Sequence, residues 1–347
     1  MDLLLLSALG KPLWMWFAFI AFIGVLLVFD LGVLHRSEHE INVREGLYLS
    51  FFYVGLGVSF AGWVWYFMGE QAALLYLTGF TVEKSLAMDN IFVIAMIFVY
   101  FATPRIYQHR VLMYGILGVI VLRAIMIGAG AALINEFFWV LYLFAAFLIY
   151  TGLKMLFTAG TEYDVATNPA LRWLRRSFPV TDQLHGSRFF IRLPHPVSGH
   201  SVLYVTPLFL ALATVEVADV VFAVDSIPAI FAITTDPYIV YTSNIFAILG
   251  LRALYFAIVA MIHAFFYLKH ALAVVLIFIG SKIFIADMLG LTKVPPAWSL
   301  AITLLLLGAG VIASLLRVDR RSVNIACSHS KEMRPAKTND TTTPGGQ

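Results

Sequence analysis

The chain has 347 residues, of which 61% are hydrophobic and only 12% charged, with a formal net charge of +3. A soluble domain carries about 25% charged residues, so the composition excludes an ordinary soluble protein and predicts an all-α integral membrane protein. A single cysteine, Cys327, excludes a disulfide framework and a thiolate metal cage.

The start, Met1 to Gly10, has neither a positive n-region nor a clear cleavage site, so the first apolar run reads as a retained span. Apolar runs separated by turn and charge punctuation then predict nine spans of about 20 residues or more: 13–34, 46–68, 73–101, 111–133, 137–158, 203–232, 238–260, 266–287 and 297–316. Alternate loops are basic. One set holds Arg36 and Arg44; Arg105 and Arg110; Arg172, Arg175, Arg176, Arg188 and Arg192; Lys269; and the tail from Arg317. The opposite set holds only Lys11 and Lys293. Positive residues mark the cytoplasmic side, so the N-terminus is expected outside and the C-terminus inside, in a multi-pass protein of a plasma membrane. The loop 159–202 is the one sizeable cytoplasmic segment and a candidate docking site for membrane-protein partners. Its stretch Pro169–Arg176 has the pattern of a basic surface helix but is expected as a solvated loop. His185, His195 and His200 are likewise expected to be solvated. Within a polytopic domain 1–322, the tail 323–347 is rich in Thr, Asn, Pro and Gly and is expected to be disordered.

An internal repeat runs through the spans. Glu83 and Asp89 are six apart, as are Asp219 and Asp225. Leu122-Arg-Ala124 is matched by Leu251-Arg-Ala253, and Leu148-Ile-Tyr-Thr-Gly-Leu-Lys154 by Leu276-Ile-Phe-Ile-Gly-Ser-Lys282. Each unit (about 73–158 and 203–288) therefore holds three spans, one acidic, one with arginine and one with lysine. Three is odd, so the units cross the membrane in opposite senses. Inverted repeats meeting at polar, interrupted helices are an architecture of secondary transporters.

Eleven ionisable groups read as intramembrane: Asp30, Glu83, Lys84, Asp89, Arg123, Lys154, Glu216, Asp219, Asp225, Arg252 and Lys282. At about 2.5–3.5 kcal/mol each, they would cost roughly 30 kcal/mol unpaired, above the ~5–15 kcal/mol of typical net stability. They must pair or line a hydrated cavity. Six are acids and five are bases, so one negative charge remains. Glu216 and Asp219, three apart, share a helix face, whereas Asp219 and Asp225 stand about 120° apart on a regular helix. Pro228 frees the carbonyl of Val224 beside Asp225, and Asn90 adds an amide oxygen beside Asp89. No Cys lies within a span, and His270 stands only at the edge of the eighth. Carboxylate and carbonyl oxygens suit Mg, Ca and Mn. The metal-ligand candidates are therefore Asp89, Asp225, Glu83, Glu216, Asp219 and Asp30, with Val224 and Asn90 as neutral oxygens. Lys84, Arg123, Lys154, Arg252 and Lys282 are structural or coupling counter-ions. Met88 offers one thioether beside Asp89 but is expected simply to pack. No nucleophile–base pair and no phosphate-cradling glycine loop is present, so neither an enzyme nor a permanent cofactor is expected, and no nucleic-acid partner.

The stretches Glu83-Lys-Ser-Leu-Ala-Met-Asp-Asn90 and Phe222-Ala-Val-Asp-Ser-Ile-Pro-Ala-Ile-Phe-Ala-Ile233 resemble the two signature motifs of the TerC family, and most closely its Alx branch of bacterial inner-membrane proteins. Arg105 to Met126, Gly152-Leu-Lys154, Thr235-Asp-Pro237 and Leu249-Gly-Leu-Arg-Ala253 fit the same branch. The resemblance implies a transporter of the LysE superfamily type that exports manganese from the cytoplasm by proton exchange, with links to alkaline pH and metal stress. It places Asp30, Glu83, Asp89, Glu216, Asp219 and Asp225 on matching motifs. Two other readings compete. One is export of a cationic amino acid, with Arg123 or Arg252 meeting its carboxylate. The other is a non-transporting scaffold for stress or secretion complexes, working through loop 159–202.

Overall fold

The computed structural model describes residues 7–29, 43–157, 169–181, 183–194, 201–259, 268–288 and 295–332. Among the described residues, eleven helices carry the fold. In order they are α1 (Leu13–Phe29), α2 (Val43–Met68), α3 (Glu70–Tyr100), α4 (Arg105–Glu136), α5 (Val140–Phe157), α6 (Pro169–Ser177), α7 (Pro207–Ile233), α8 (Pro237–Leu249), α9 (Leu251–Ile258), α10 (Leu268–Met288) and α11 (Pro296–Glu332). Seven helices among the described residues are long and apolar enough to cross a membrane: α2, α4, α5, α7, α8 continued through α9, α10, and α11 from Pro296 to Ser314. Helix α1 is shorter, at 17 residues. Helix α3 has length to spare, at 31 residues, but carries Glu83, Lys84 and Asp89 midway.

The structure departs from the sequence reading in four places. Two short antiparallel ribbons interrupt the all-helical pattern: β1 (Ser7–Ala8) with β2 (Lys11–Pro12), and β3 (Phe190–Pro194) with β4 (Ser201–Val205). The span expected from 203 therefore begins only at Pro207, because Ser201–Val205 alternates exposed and covered side chains as a strand does. The stretch 169–177 is a helix and not a solvated loop. It turns Leu171 and Leu174 into a core cluster shared with α3, α4 and α7 while Trp173 faces outward. The span 238–260 is broken at Gly250, between α8 and α9. Helix α11 continues to Glu332, into the stretch read as a disordered tail; residues 333–347 lie outside the described residues.

Helices α8 and α9 form the most enclosed of the seven apolar spans, with nearly every residue buried. Helices α2, α3 and α4 pack around them. Helix α3 also packs on α7 and α11, α7 on α4, and α5 on α10. The last pair approaches closely at two glycines. A Cβ on Gly152 would stand 2.7 Å from the Ala273 carbonyl oxygen and from Ile277 Cγ1, and one on Gly280 would stand 2.6 Å from the Ala145 oxygen and 3.0 Å from Ile149 Cγ1. One offset of 128 residues relates Gly152 to Gly280, Ala145 to Ala273 and Ile149 to Ile277. The contact is thus reciprocal, as at a two-fold axis, and the two helices run antiparallel.

The two ends of the bundle differ in chemistry. At one end Trp14, Trp16, Trp63, Phe67 and Tyr238 pack ring against ring, three of the contacts edge to face and Trp63 on Tyr238 tilted, and Lys11 pairs with Asp236 at 3.0 Å. At the other, Arg110 donates to Ser187 Oγ at 2.9 Å and Arg175 lies over the Tyr100 ring, beside the basic helix α6.

Candidate functional site

The centre of the charged constellation is Arg123, on α4 and 1% exposed. Its guanidinium spends all three nitrogens. Nη1 donates to Glu83 Oε1 at 2.7 Å and to Ser226 Oγ at 2.6 Å, while Nε and Nη2 each donate to one oxygen of Asp219 at 3.3 Å. The planar fork of arginine suits such a multi-pronged contact. Three helices are tied by it: Glu83 comes from α3, Arg123 from α4, Asp219 and Ser226 from α7. Two carboxylates face one guanidinium, so the cluster keeps a formal charge of −1. That is the sign a cation requires.

Next to the cluster lies a cavity of about 20 Å³, above the ~10–15 Å³ that a water-sized guest needs. Asn90 and Ile94 of α3, Ile116 and Val119 of α4, Val215 and Asp219 of α7, and Ile248 and Arg252 of α8 and α9 all contribute to its wall. Asp219 is common to cavity and cluster. Glu216, one turn before Asp219, rests on α4 at Gly115 and Gly118. A Cβ on Gly118 would stand 2.5 Å from its Oε1, so the carboxylate occupies the room that this glycine leaves. Its Oε2 is buried with no hydrogen-bond partner among the described residues.

Lys84 turns away from Glu83, as adjacent helix positions must. Its Nζ donates to the Ala247 carbonyl at 3.0 Å, in the last turn of α8 just before the break at Gly250. A cation there satisfies a carbonyl that a helix C-terminus leaves open. Gly250 leaves the space, since a Cβ would stand 2.5 Å from that Nζ. Asp225 points elsewhere than Asp219, toward α5, where the Thr151 side chain hydrogen-bonds it and Lys154 is the nearby charge. Pro228 is accommodated within α7. Lys282 Nζ reaches Ser299 Oγ at 3.4 Å, linking α10 to α11. Met88 packs against two core clusters.

Of the residues singled out in the sequence, Glu83, Asp219 and Arg123 are thus in direct contact, and Asn90 and Arg252 share the cavity with Asp219. Glu216 adjoins them, whereas Asp225 of α7 and Lys154 of α5 form a separate group, and Val224 precedes Asp225 on α7. Asp89 is placed on α3 beside Asn90, but its side chain is not described; Asp30 lies outside the described residues. Among the described residues, no three His, Cys, Asp or Glu converge as a metal cage. Two participants were missed in the sequence: Ser226 and Gly118. Ser226 had a signal, because it follows Asp225 as Asn90 follows Asp89.

Comparison with known proteins agrees with this arrangement of motifs. The model of the integral membrane protein TerC family matches residues 68–322. A membrane protein of Rickettsia bellii is 45% identical over 309 residues, 88% of this chain and 99% of its own length. A membrane protein of Myxococcus xanthus is 44% identical over 310 residues, 89% of this chain and 94% of its own. One from Escherichia coli K12, named as a candidate membrane-bound redox modulator, Alx, is 44% identical over 291 residues, 81% of this chain and 88% of its own. No solved structure matches. The motifs on α3 and α7, the match through the helical bundle and these relatives together establish that the chain belongs to the TerC family of integral membrane proteins.

Proposed function

We propose that the protein is a secondary transporter of a bacterial inner membrane that exports a divalent metal ion, Mn²⁺, from the cytoplasm in exchange for protons. The carrying observation is the buried cluster of Glu83, Asp219 and Arg123, net negative and open to a cavity built from five helices. Oxygen-only chemistry of this kind suits a hard cation. Ionisable residues inside a membrane bundle are costly and mark ion pathways and proton relays. In this reading α1 and α3 join the seven apolar spans to make nine, with the N-terminus outside and the basic end, including α6 and the β3–β4 ribbon, in the cytoplasm. The reciprocal packing of Gly152 and Gly280 supports two inverted repeats, α3–α5 and α7–α10, rocking about a site between them.

Asp89 and Asp225 are the carboxylates that take the ion at one stage of the cycle. Glu83, Glu216, Asp219 and Asp30 offer further oxygens or take protons, and Val224 and Asn90 offer neutral ones. Protonating a carboxylate weakens the site, which links proton entry to metal exit. The cavity has room for an ion or a water and not for an amino acid, which favours the metal reading over cationic amino-acid export. The redox role in the name of the Escherichia coli relative finds no intrachain dithiol here, since the chain has one cysteine. The surface helix α6, with Trp173 exposed, favours a partner-docking reading as the alternative. The test is uptake of radiolabelled Mn²⁺ by everted membrane vesicles under an imposed pH gradient. Wild type should accumulate the ion, and Asp89→Asn combined with Asp225→Asn should not. Uptake that survives the double change sinks the assignment of these carboxylates.

A further inference from the structure

One polar side chain in the centre of the bundle has no role in the site described so far. Asn244 on α8 is 0% exposed, and neither its Oδ1 nor its Nδ2 meets a hydrogen-bond partner among the described residues. Its neighbours on α8 behave differently. Thr242 and Ser243 return their hydroxyls to the backbone one turn back, at 2.7 Å each, so this helix satisfies the polar groups that can reach its own carbonyls. A carboxamide buried without partners forfeits the hydrogen bonds it makes in water, and leucine at the same place would avoid that loss.

The packing fixes the level at which Asn244 stands. Four residues before it, Val240 shares a core cluster with Ile127 of α4 and Ile230 of α7. Four residues after it, Ile248 forms the cavity wall with Val119 of α4 and Ala218 of α7. On α4 the residue midway between Val119 and Ile127 is Arg123. On α7 the interval between Ala218 and Ile230 holds Asp219 and Ser226. On α3, Gly79 lies against Ser243 and Asn90 lies in the cavity, and Glu83 falls between them. All four helices therefore bring Asn244 to the level of the Arg123 cluster. The guanidinium has already committed its nitrogens to Glu83, Asp219 and Ser226 and leaves the amide aside.

We propose that Asn244 is a ligand residue of the ion path, its Oδ1 giving a neutral oxygen to a hard divalent cation that passes between the cavity and the Glu83–Asp219 pair. The inference rests on the metal-transport reading above and extends it to a residue outside the acidic motifs. Two carboxylates against one guanidinium set the sign of the guest. Hard cations accept amide oxygens alongside carboxylates. A neutral ligand also holds the ion without adding charge that would oppose its release.

The experiment uses the purified full chain in detergent, its melting followed as MnCl₂, MgCl₂ or CaCl₂ is titrated, for wild type, Asn244→Leu and Asn244→Asp. Expected are an apparent Mn²⁺ affinity at least tenfold weaker in Asn244→Leu, with melting in the absence of metal no lower than wild type, and tighter binding in Asn244→Asp. The Asp variant supplies the answer if the Leu variant does not fold. Equal affinity in all three proteins overturns the role of Asn244 and leaves the manganese reading standing. Binding of Mg²⁺ or Ca²⁺ but not Mn²⁺, still lost in Asn244→Leu, overturns the manganese reading and upholds Asn244. If no divalent cation moves the melting of wild type, both fall.

Discussion

Arg123 holds one buried charge against two, and the asymmetry makes it the most vulnerable residue in the bundle. Removing one partner of a buried ion pair costs about 3–5 kcal/mol, because it strands the other charge. Arg123→Leu strands two carboxylates, so the expected result is loss of folded protein on size-exclusion chromatography in detergent. Adding Glu83→Gln and Asp219→Asn to Arg123→Leu removes the stranded charges. The triple variant should recover a monodisperse peak while remaining inactive in Mn²⁺ uptake. Recovery would show that the guanidinium neutralises, whereas failure would give it a structural part beyond charge. That these residues mattered was legible from the sequence, because charges inside apolar runs are conspicuous. Which of them meet was not, because partner choice depends on how each helix is rotated about its axis. Lys84 looked like a counter-ion and instead satisfies the Ala247 carbonyl. Asn244 was passed over because an uncharged asparagine carries little weight in a hydropathy profile, and only its burial without a partner among the described residues sets it apart.

At the scale of elements, the close approach of α5 and α10 carries the arrangement. Membrane helices gain little from apolar burial alone and pack best where small residues let backbones touch. Alanine at Gly152 or at Gly280 would drive a Cβ against a backbone carbonyl at 2.6–2.7 Å, which cannot swing aside. Each change should cost about 1–3 kcal/mol, read as a lower melting temperature. The two sites share one interface, so the double variant should cost less than the sum of the singles. Gly118→Ala makes a contrast. Its Cβ meets the mobile end of Glu216 and no backbone, so melting should hardly change while Mn²⁺ uptake falls as the carboxylate is displaced. The two glycines of this contact were visible in the sequence as matched Gly-x-Lys triplets, Gly152-Leu-Lys154 and Gly280-Ser-Lys282. The break at Gly250 and the strand at Ser201–Val205 were not, since a glycine in an apolar run and a short alternating stretch both resemble span sequence to a hydropathy profile.

For the whole molecule, two regions stand apart: the basic end beside helix α6 and the central cluster of Glu83, Arg123 and Asp219. Transport and docking make opposite demands on these two regions. If the bundle exports manganese, cells challenged with the metal should hold less of it when they make wild-type protein than when they make none. Asp89→Asn at matched expression should abolish the difference, because an amide keeps the size of the carboxylate and removes its charge. Replacing the described basic segment 169–177 by a flexible linker of equal length should then leave manganese content near wild type, since that segment packs on α7 and lies outside the Glu83–Arg123–Asp219 cluster. If docking is the function, the pattern inverts: Asp89→Asn is silent, the linker variant loses the phenotype, and manganese content follows neither. The two variants measured side by side by elemental analysis of washed cells therefore separate an ion path through the bundle from a binding surface at its basic end.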